Sequence, residues 1–190
     1  MDKTKAKQSY HFKAKKPVLA ILGGSQGSVP FNHHFQNHLE QYIDLNIQIL
    51  WQCGKKDFSK LKKLNSHPNV HIFPFTQNMD VFYSAADLIV SRAGALALSE
   101  MALLGKAMVL IPLPHSAGDH QTTNAQTFSN MGGAILIHQP LLDTGFFDKT
   151  ILELIQNSQK ISCMEANSKK FGIPNSLEEI TTVIMDIAES

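Results

Sequence analysis

Short apolar runs recur along this chain and are separated by stretches whose apolar residues return at helical spacing. The runs occupy residues 18–22, 47–52, 70–73, 88–90, 108–111 and 134–137 and are continuous or nearly so, which fits strands covered on both faces. Helical patterns fall between them at 30–42, 57–64, 79–85, on the stretch carrying Glu100, and at 121–131. Pro30 suits a first helical turn, where the N–H it lacks would have no partner. Gly132-Gly133 suits a helix stop. Beyond residue 137 the pattern is helical throughout, at 147–155, a short stretch at 162–169, and 176–188. In the last of these, Ser176 and Glu179 form a capping-box pattern, and Leu177, Ile180, Ile184 and Ile187 share one face.

Six strands alternating with helices predict an α/β fold: a Rossmann-like doubly wound six-stranded parallel sheet with a helical C-terminal tail. In the usual order 3-2-1-4-5-6, strands one and four are neighbours and the ligand crevice opens at their carboxyl ends. That order sets the loop Gly23-Gly24-Ser25-Gln26-Gly27 beside the turn Ser91-Arg92-Ala93-Gly94, although they are remote in sequence. The second turn opens a helix whose N-terminal amides favour an anion. A dinucleotide site would want G-x-G-x-x-G and an acid closing strand two, yet the loop is Gly-Gly-x-x-Gly and strand two runs into Gln52-Cys53-Gly54-Lys55; NAD is disfavoured. The Gly-Lys-Ser/Thr of a P-loop is absent. Glu100, further along the helix, is placed to accept from a ribose. The inferred guest is a nucleoside diphosphate whose cargo points toward Asp119, His120 and Gln121. Arg92 has two open readings, a brace for the loop or a phosphate contact.

Composition changes this picture little. The chain has 190 residues, 43% of them hydrophobic, enough for one core, so 17–190 is expected to be a single domain. Residues 1–16 carry six lysines, one acid and no apolar period, and are expected to form a basic flexible tail, solvated or weakly drawn to an anionic membrane surface. A formal net charge of +1 gives no general attraction for nucleic acid. Two distant cysteines, Cys53 and Cys163, fit free thiols in a reducing compartment. The apolar runs are far shorter than the ~20 residues of a membrane span, and no signal peptide is recognisable, so the expected location is cytoplasmic. His115 and His120 lack a third ligand at metal-binding spacing, so no metal site is expected. His33 and His34 are expected on the surface of the first helix, and Trp51, Phe73 and Phe75 in the core, with Phe75 near the crevice mouth.

Three motifs in order carry a family resemblance: Gly23-Gly24-Ser25-Gln26-Gly27 with Asn32; Arg92-Ala93-Gly94-Ala95-Leu96 with Ser99-Glu100; and Pro112-Leu113-Pro114-His115 with Asp119-His120-Gln121 and Asn124-Ala125. Together they resemble the donor-binding, C-terminal half of the MurG family, bacterial GT-B transferases that move N-acetylglucosamine from UDP to undecaprenyl-pyrophosphoryl-MurNAc-pentapeptide in peptidoglycan synthesis. The resemblance implies that Glu100 binds the ribose hydroxyls, that the turn Ala93, Gly94, Ala95 and Leu96 holds the diphosphate, and that Ser25 and Gln26 line the phosphate side. It further implies that backbone at Phe75 and Thr76 meets the uracil, and that His120, Gln121 and Asn124 contact sugar hydroxyls. It departs from the family at Gly118, where an acid is common, and in lacking an arginine after the first glycine loop. No cofactor is implied beyond the donor substrate UDP-N-acetylglucosamine. The catalytic base and the membrane-facing surface belong to the family's other half, so no catalytic residue is assigned here and no turnover is expected from this chain alone. The lipid-linked acceptor, at the cytoplasmic face of the membrane, would be met through a missing N-terminal half or a separate subunit. A two-chain arrangement of that kind resembles the eukaryotic transferase acting on a dolichol-linked acceptor. A non-catalytic UDP-sugar-binding module is the alternative.

Overall fold

The computed structural model describes residues 1–189. Six parallel strands, β1 (Val18–Leu22), β2 (Gln48–Gln52), β3 (Val70–Phe73), β4 (Leu88–Ser91), β5 (Met108–Leu110) and β6 (Ala134–Leu136), form one sheet in the order β3-β2-β1-β4-β5-β6. This is the order expected from the apolar pattern. The helices are α1 (Lys3–Ser9), α2 (Val29–Asp44), α3 (Lys55–Leu61), α4 (Met79–Ala85), α5 (Ala95–Leu103), α6 (His120–Asn130), α7 (Phe146–Ile155), α8 (Ser158–Lys169) and α9 (Ser176–Glu189). The short pattern at 162–169 proves to be the second half of α8, whose start is capped by Asn157 accepting from the Lys160 amide.

Every residue of β1 is buried, and its side chains part into two cores. Leu19 and Ile21 join Phe31, Phe35, Trp51 and Phe147 on one face, while Val18, Ala20 and Leu22 join Phe82, Tyr83 and Met101 on the other. The register pairs Leu22 of β1 with Ser91 of β4, so the loops that follow leave the sheet side by side. Among the described residues no helix is long and apolar enough to cross a membrane.

Residues 1–16 are not the loose tail that their lysine content suggests. Lys3–Ser9 is helical, capped by Asp2, and packs against α4, with Ala6 and Phe12 buried. Lys7 is buried, its Nζ 2.6 Å from the Asp87 carboxylate, which also accepts from Lys3 Nζ at 2.8 Å and the Val18 amide at 2.8 Å. The Gln48 side chain clasps the Lys13 backbone through both its amide and its carbonyl. A long lysine stem can bury apolar surface while its ammonium finds an acid, a pairing that composition does not reveal.

At the other end, α9 begins at Ser176 itself, with Asn175 accepting from the Glu179 amide, so Asn175 stands where the capping-box serine was expected. The apolar face of this helix is exposed at Ile180, Ile184 and Ile187. The side chain of Leu177 lies outside the described ones.

Burial alone would raise the Asp87 pKa, but the hydrogen bonds and charges of Lys3 and Lys7 outweigh it and hold the carboxyl below its usual 3.8. A depressed carboxylate contributes stability above its unfolded-state pKa and loses it as pH falls through the folded value. Amide-exchange protection of Lys3–Ser9 is therefore expected to persist at neutral pH and to fade below about pH 4. Asp87→Asn, which strands Lys7, is expected to remove that protection at neutral pH and to lower global stability by about 3 kcal/mol in urea denaturation. Unchanged exchange in the variant would show that the helix is held by other means.

Candidate functional site

The loop after β1 and the turn after β4 wall a single cavity of about 600 Å³ at the carboxyl edge of the sheet. Ser25, Gln26, Arg92, Gly94 and Gln121 line it, together with Gln139 from the turn after β6. Five of the residues expected at a site are thus brought together.

Local chemistry explains each wall. Gly24 and Gly27 adopt φ of +87° and +78°, open to glycine at no steric cost. At Gly27 there is also no room: a Cβ would stand 2.0 Å from the Cys53 carbonyl oxygen, where the loop after β2 presses against it. Gln52 extends that contact by donating to the Gly24 carbonyl at 3.2 Å and accepting from the Thr76 amide at 3.0 Å. Ser28 then caps α2, accepting from the Phe31 amide. Asn32 ties α2 to the loop after β2, donating to the Cys53 carbonyl and Asp57 and accepting from Trp51.

Gly94 is a different kind of glycine. Its φ of −69° and ψ of 136° suit any residue, and a Cβ there would meet nothing within 4 Å. It occupies the cap position of α5 without offering a side-chain oxygen, so the first amides of α5 open toward the cavity rim uncapped. Helix N-termini of this kind attract anions, and the start of α2 stands across the same cavity.

Arg92 is a brace. One guanidinium nitrogen donates to the carbonyls of Ile111 and Pro112, both at 3.0 Å, and the other to Ser28 Oγ at 2.9 Å and Gln139 Oε1 at 2.6 Å. The guanidinium also lies 4.5 Å from the centre of the Phe31 ring. Burial lowers its pKa to about 10, which leaves it cationic at neutral pH. It ties β4 to the loops after β1, β5 and β6 and lends positive charge to the cavity floor.

The remaining expected residues, Thr76, Ala93, Ala95, Leu96, Glu100, His120 and Asn124, do not line this cavity. Glu100 lies further along α5, accepting from Tyr83 Oη at 2.8 Å, and borders a separate cleft of about 270 Å³ with Phe171 and Ile173. Ala93 is buried, its carbonyl accepting from Asn124 Nδ2 at 3.1 Å, whereas Ala95 and Leu96 are exposed at the start of α5. Gln121 Oε1 accepts from the Leu113 amide at 2.9 Å, and His120 is exposed. The Thr76 amide, expected to meet uracil, instead donates to Gln52. His115, Gly118 and Asp119 have φ of 57°, 57° and 53°, so the loop leading into α6 turns through three left-handed residues.

Ser28, Gln52 and Gln139 were not anticipated at the site. Ser28, two residues before Pro30, carries a helix-cap signal; Gln139 carries only its position just past the last strand. His34, expected at the surface, is buried and hydrogen-bonded to Asp148 and Asp143, while His33 is exposed as expected; Phe75, expected in the core, is exposed beyond the end of β3.

Residues 18–180 match the family model described as the glycosyltransferase family 28 C-terminal domain. The chain is 39% identical over 178 residues to the UDP-N-acetylglucosamine–N-acetylmuramyl-(pentapeptide) pyrophosphoryl-undecaprenol N-acetylglucosamine transferase of Flavobacterium psychrophilum, covering 93% of this chain and 48% of that protein. It is 32% identical to the enzyme of the same name from Bacillus cytotoxicus, covering 96% and 51%. The chain spans about half the length of the curated relatives it matches. Among solved structures, MurG of Acinetobacter baumannii superposes with a TM-score of 0.80 at 28% identity, covering 95% of this chain and 53% of that one. The glycosyltransferase VinC, solved with dTDP, shares the fold at a TM-score of 0.70 and 16% identity.

The two glycines predict opposite outcomes. Gly27→Ala is expected to lower stability by about 2 kcal/mol or more, through the forced φ and the clash with Cys53. Gly94→Ser, which supplies the missing cap, is expected to hold or raise stability. Urea denaturation of both variants checks this; equal losses would contradict the assigned roles.

Proposed function

Because the chain belongs to the glycosyltransferase family 28 C-terminal domain family, we propose that it is the donor-binding half of an inverting N-acetylglucosaminyltransferase of peptidoglycan synthesis, holding UDP-N-acetylglucosamine at the cavity between β1 and β4. The observation that carries this reading is the uncapped start of α5 at Gly94, facing the Gly23–Gly27 loop across one cavity. In this reading the diphosphate sits against the α5 amides, with Ser25 and Gln26 on its other side. The ribose reaches back along α5 to Glu100, whose carboxylate is already oriented by Tyr83. The N-acetylglucosamine extends toward Gln121, Asn124 and His120.

The chemistry available from these residues is leaving-group stabilisation. As the bond from the sugar to UDP breaks, negative charge grows on the diphosphate, where preorganised amides at a helix N-terminus stabilise it without reorganising. The buried Arg92 cation behind the turn adds to that field. Deprotonation of the attacking acceptor hydroxyl is assigned to no residue of this chain. It falls to an acceptor-binding half, which would also carry the contact with the lipid-linked acceptor at the cytoplasmic face of the membrane.

Calorimetry tests the donor assignment. UDP-N-acetylglucosamine is expected to bind one to one, and NADH is expected not to bind. Glu100→Ala is expected to weaken UDP binding about tenfold, the effect of losing a hydrogen bond to a charged acceptor. Unchanged affinity in that variant would remove Glu100 from the ribose, and NADH binding in place of the uridine nucleotide would overturn the donor reading.

A further inference from the structure

On the face of the molecule formed by α2 and α7, away from the donor cavity, three side chains of α2 converge on one carboxylate. His34, His38 and Tyr42 follow each other at intervals of one helical turn, and all meet Asp148 of α7. His34 Nε2 lies 2.9 Å from Asp148 Oδ1, His38 Nδ1 lies 2.6 Å from Oδ2, and the Tyr42 hydroxyl donates to Oδ1. The second nitrogen of His34 lies 3.2 Å from Asp143 Oδ1. His34 and Asp148 are buried, and His38 is about one third exposed. Asp148, His38 and Gln41 border a cleft of about 520 Å³ that opens to solvent beside Gly145 and Lys149. The Gln41 amide is buried and also acts on the Asp148 carboxylate.

We propose that His34 Nε2, His38 Nδ1 and the Asp148 carboxylate bind one divalent transition-metal ion, zinc by the chemistry of the set, which clips α2 to α7. Two imidazoles and a carboxylate are a donor set that suits zinc. The three ligand atoms lie within 4.8 Å of one another. Tetrahedral ligands at about 2.1 Å from a zinc ion stand roughly 3.4 Å apart, so the His34–Asp148 and His38–Asp148 spacings of 2.9 and 2.6 Å need to widen by less than an ångström. The partly exposed His38 has room to make that movement. Asp143 supplies the carboxylate that commonly holds the far nitrogen of a metal-bound histidine and fixes its tautomer. The fourth position, left for a water, faces the cleft that Gln41 borders. Without the ion, protons on the imidazoles fill the same space, so metal and proton compete for one site.

The clip bears on the fold at a particular place. Ser28 caps the start of α2, and α7 follows the turn that supplies Gln139; both residues are held by Arg92. The proposal does not depend on the donor assignment.

The test uses the full chain, stripped with a chelator and titrated with Zn²⁺ and, separately, Co²⁺. One equivalent is expected to bind by calorimetry, with visible Co²⁺ absorption of a four-coordinate nitrogen and oxygen site. Tm is expected to rise by roughly 5 °C when free Zn²⁺ exceeds Kd a hundredfold. His38→Ala, at a partly exposed position, is expected to keep cooperative unfolding and lose at least tenfold in affinity. Asp143→Asn is expected to lose about tenfold through the second ring nitrogen. His120→Ala, at an exposed histidine outside this cluster, is expected to bind metal as before. Absence of one-to-one uptake of either ion by the folded chain, or undiminished binding in folded His38→Ala, would overturn the site.

Discussion

The pairing of β1 with β4 is the constraint on which the rest of this structure depends. Leu22 and Ser91 are the last partners in that ladder, so the chain leaves both strands at the same level of the sheet. Parallel strands need a crossover between them, and here that crossover carries β2 and β3 out to one edge before returning to β4. Two segments far apart in sequence are thereby delivered to opposite walls of one cavity.

Holding the walls in place falls to groups that do not face a ligand. Arg92 reaches the strand-end loops after β1, β5 and β6 from its place after β4. A guanidinium presents its donors in a fixed fork, which makes it suited to joining several carbonyls and hydroxyls at set angles. Its burial is tolerable because its neighbours are hydrogen-bond acceptors and the face of Phe31. Gln52 and Asn32 perform the same bridging on the β2 side. With the loops fixed by these residues, Gly94 is left as a gap where the α5 amides stay open.

Much of this was legible in the residues. Nearly unbroken apolar runs between helical patterns marked strands covered on both faces, and the alternation fixed a parallel sheet and its strand order. The two glycine segments pointed to the crevice for the same reason. What stayed hidden were pairings across long separations. The α1 segment read as a tail because its lysines outnumber its apolar residues, yet Lys7 reaches Asp87 eighty residues away, and Phe12 and Ala6 supply enough burial to dock it. His34 read as a surface residue because nothing in the sequence near it announces Asp143 or Asp148. Arg92 was ambiguous between brace and phosphate contact, since its partners Ser28, Ile111, Pro112 and Gln139 lie on three other loops. The motif order identified the family, and the geometry separates the motif residues that line the cavity, such as Ser25 and Gln121, from those that hold its walls, such as Asn32 and Arg92.

The central claim is that the loop after β1 and the helix start after β4 act as one diphosphate site. Titration of UDP into ¹⁵N-labelled protein, followed amide by amide, tests it most directly. The account predicts that amides at 23–28 and at 94–97 shift together and saturate with a single dissociation constant. Shifts confined to one segment, or two segments saturating at different concentrations, would contradict it.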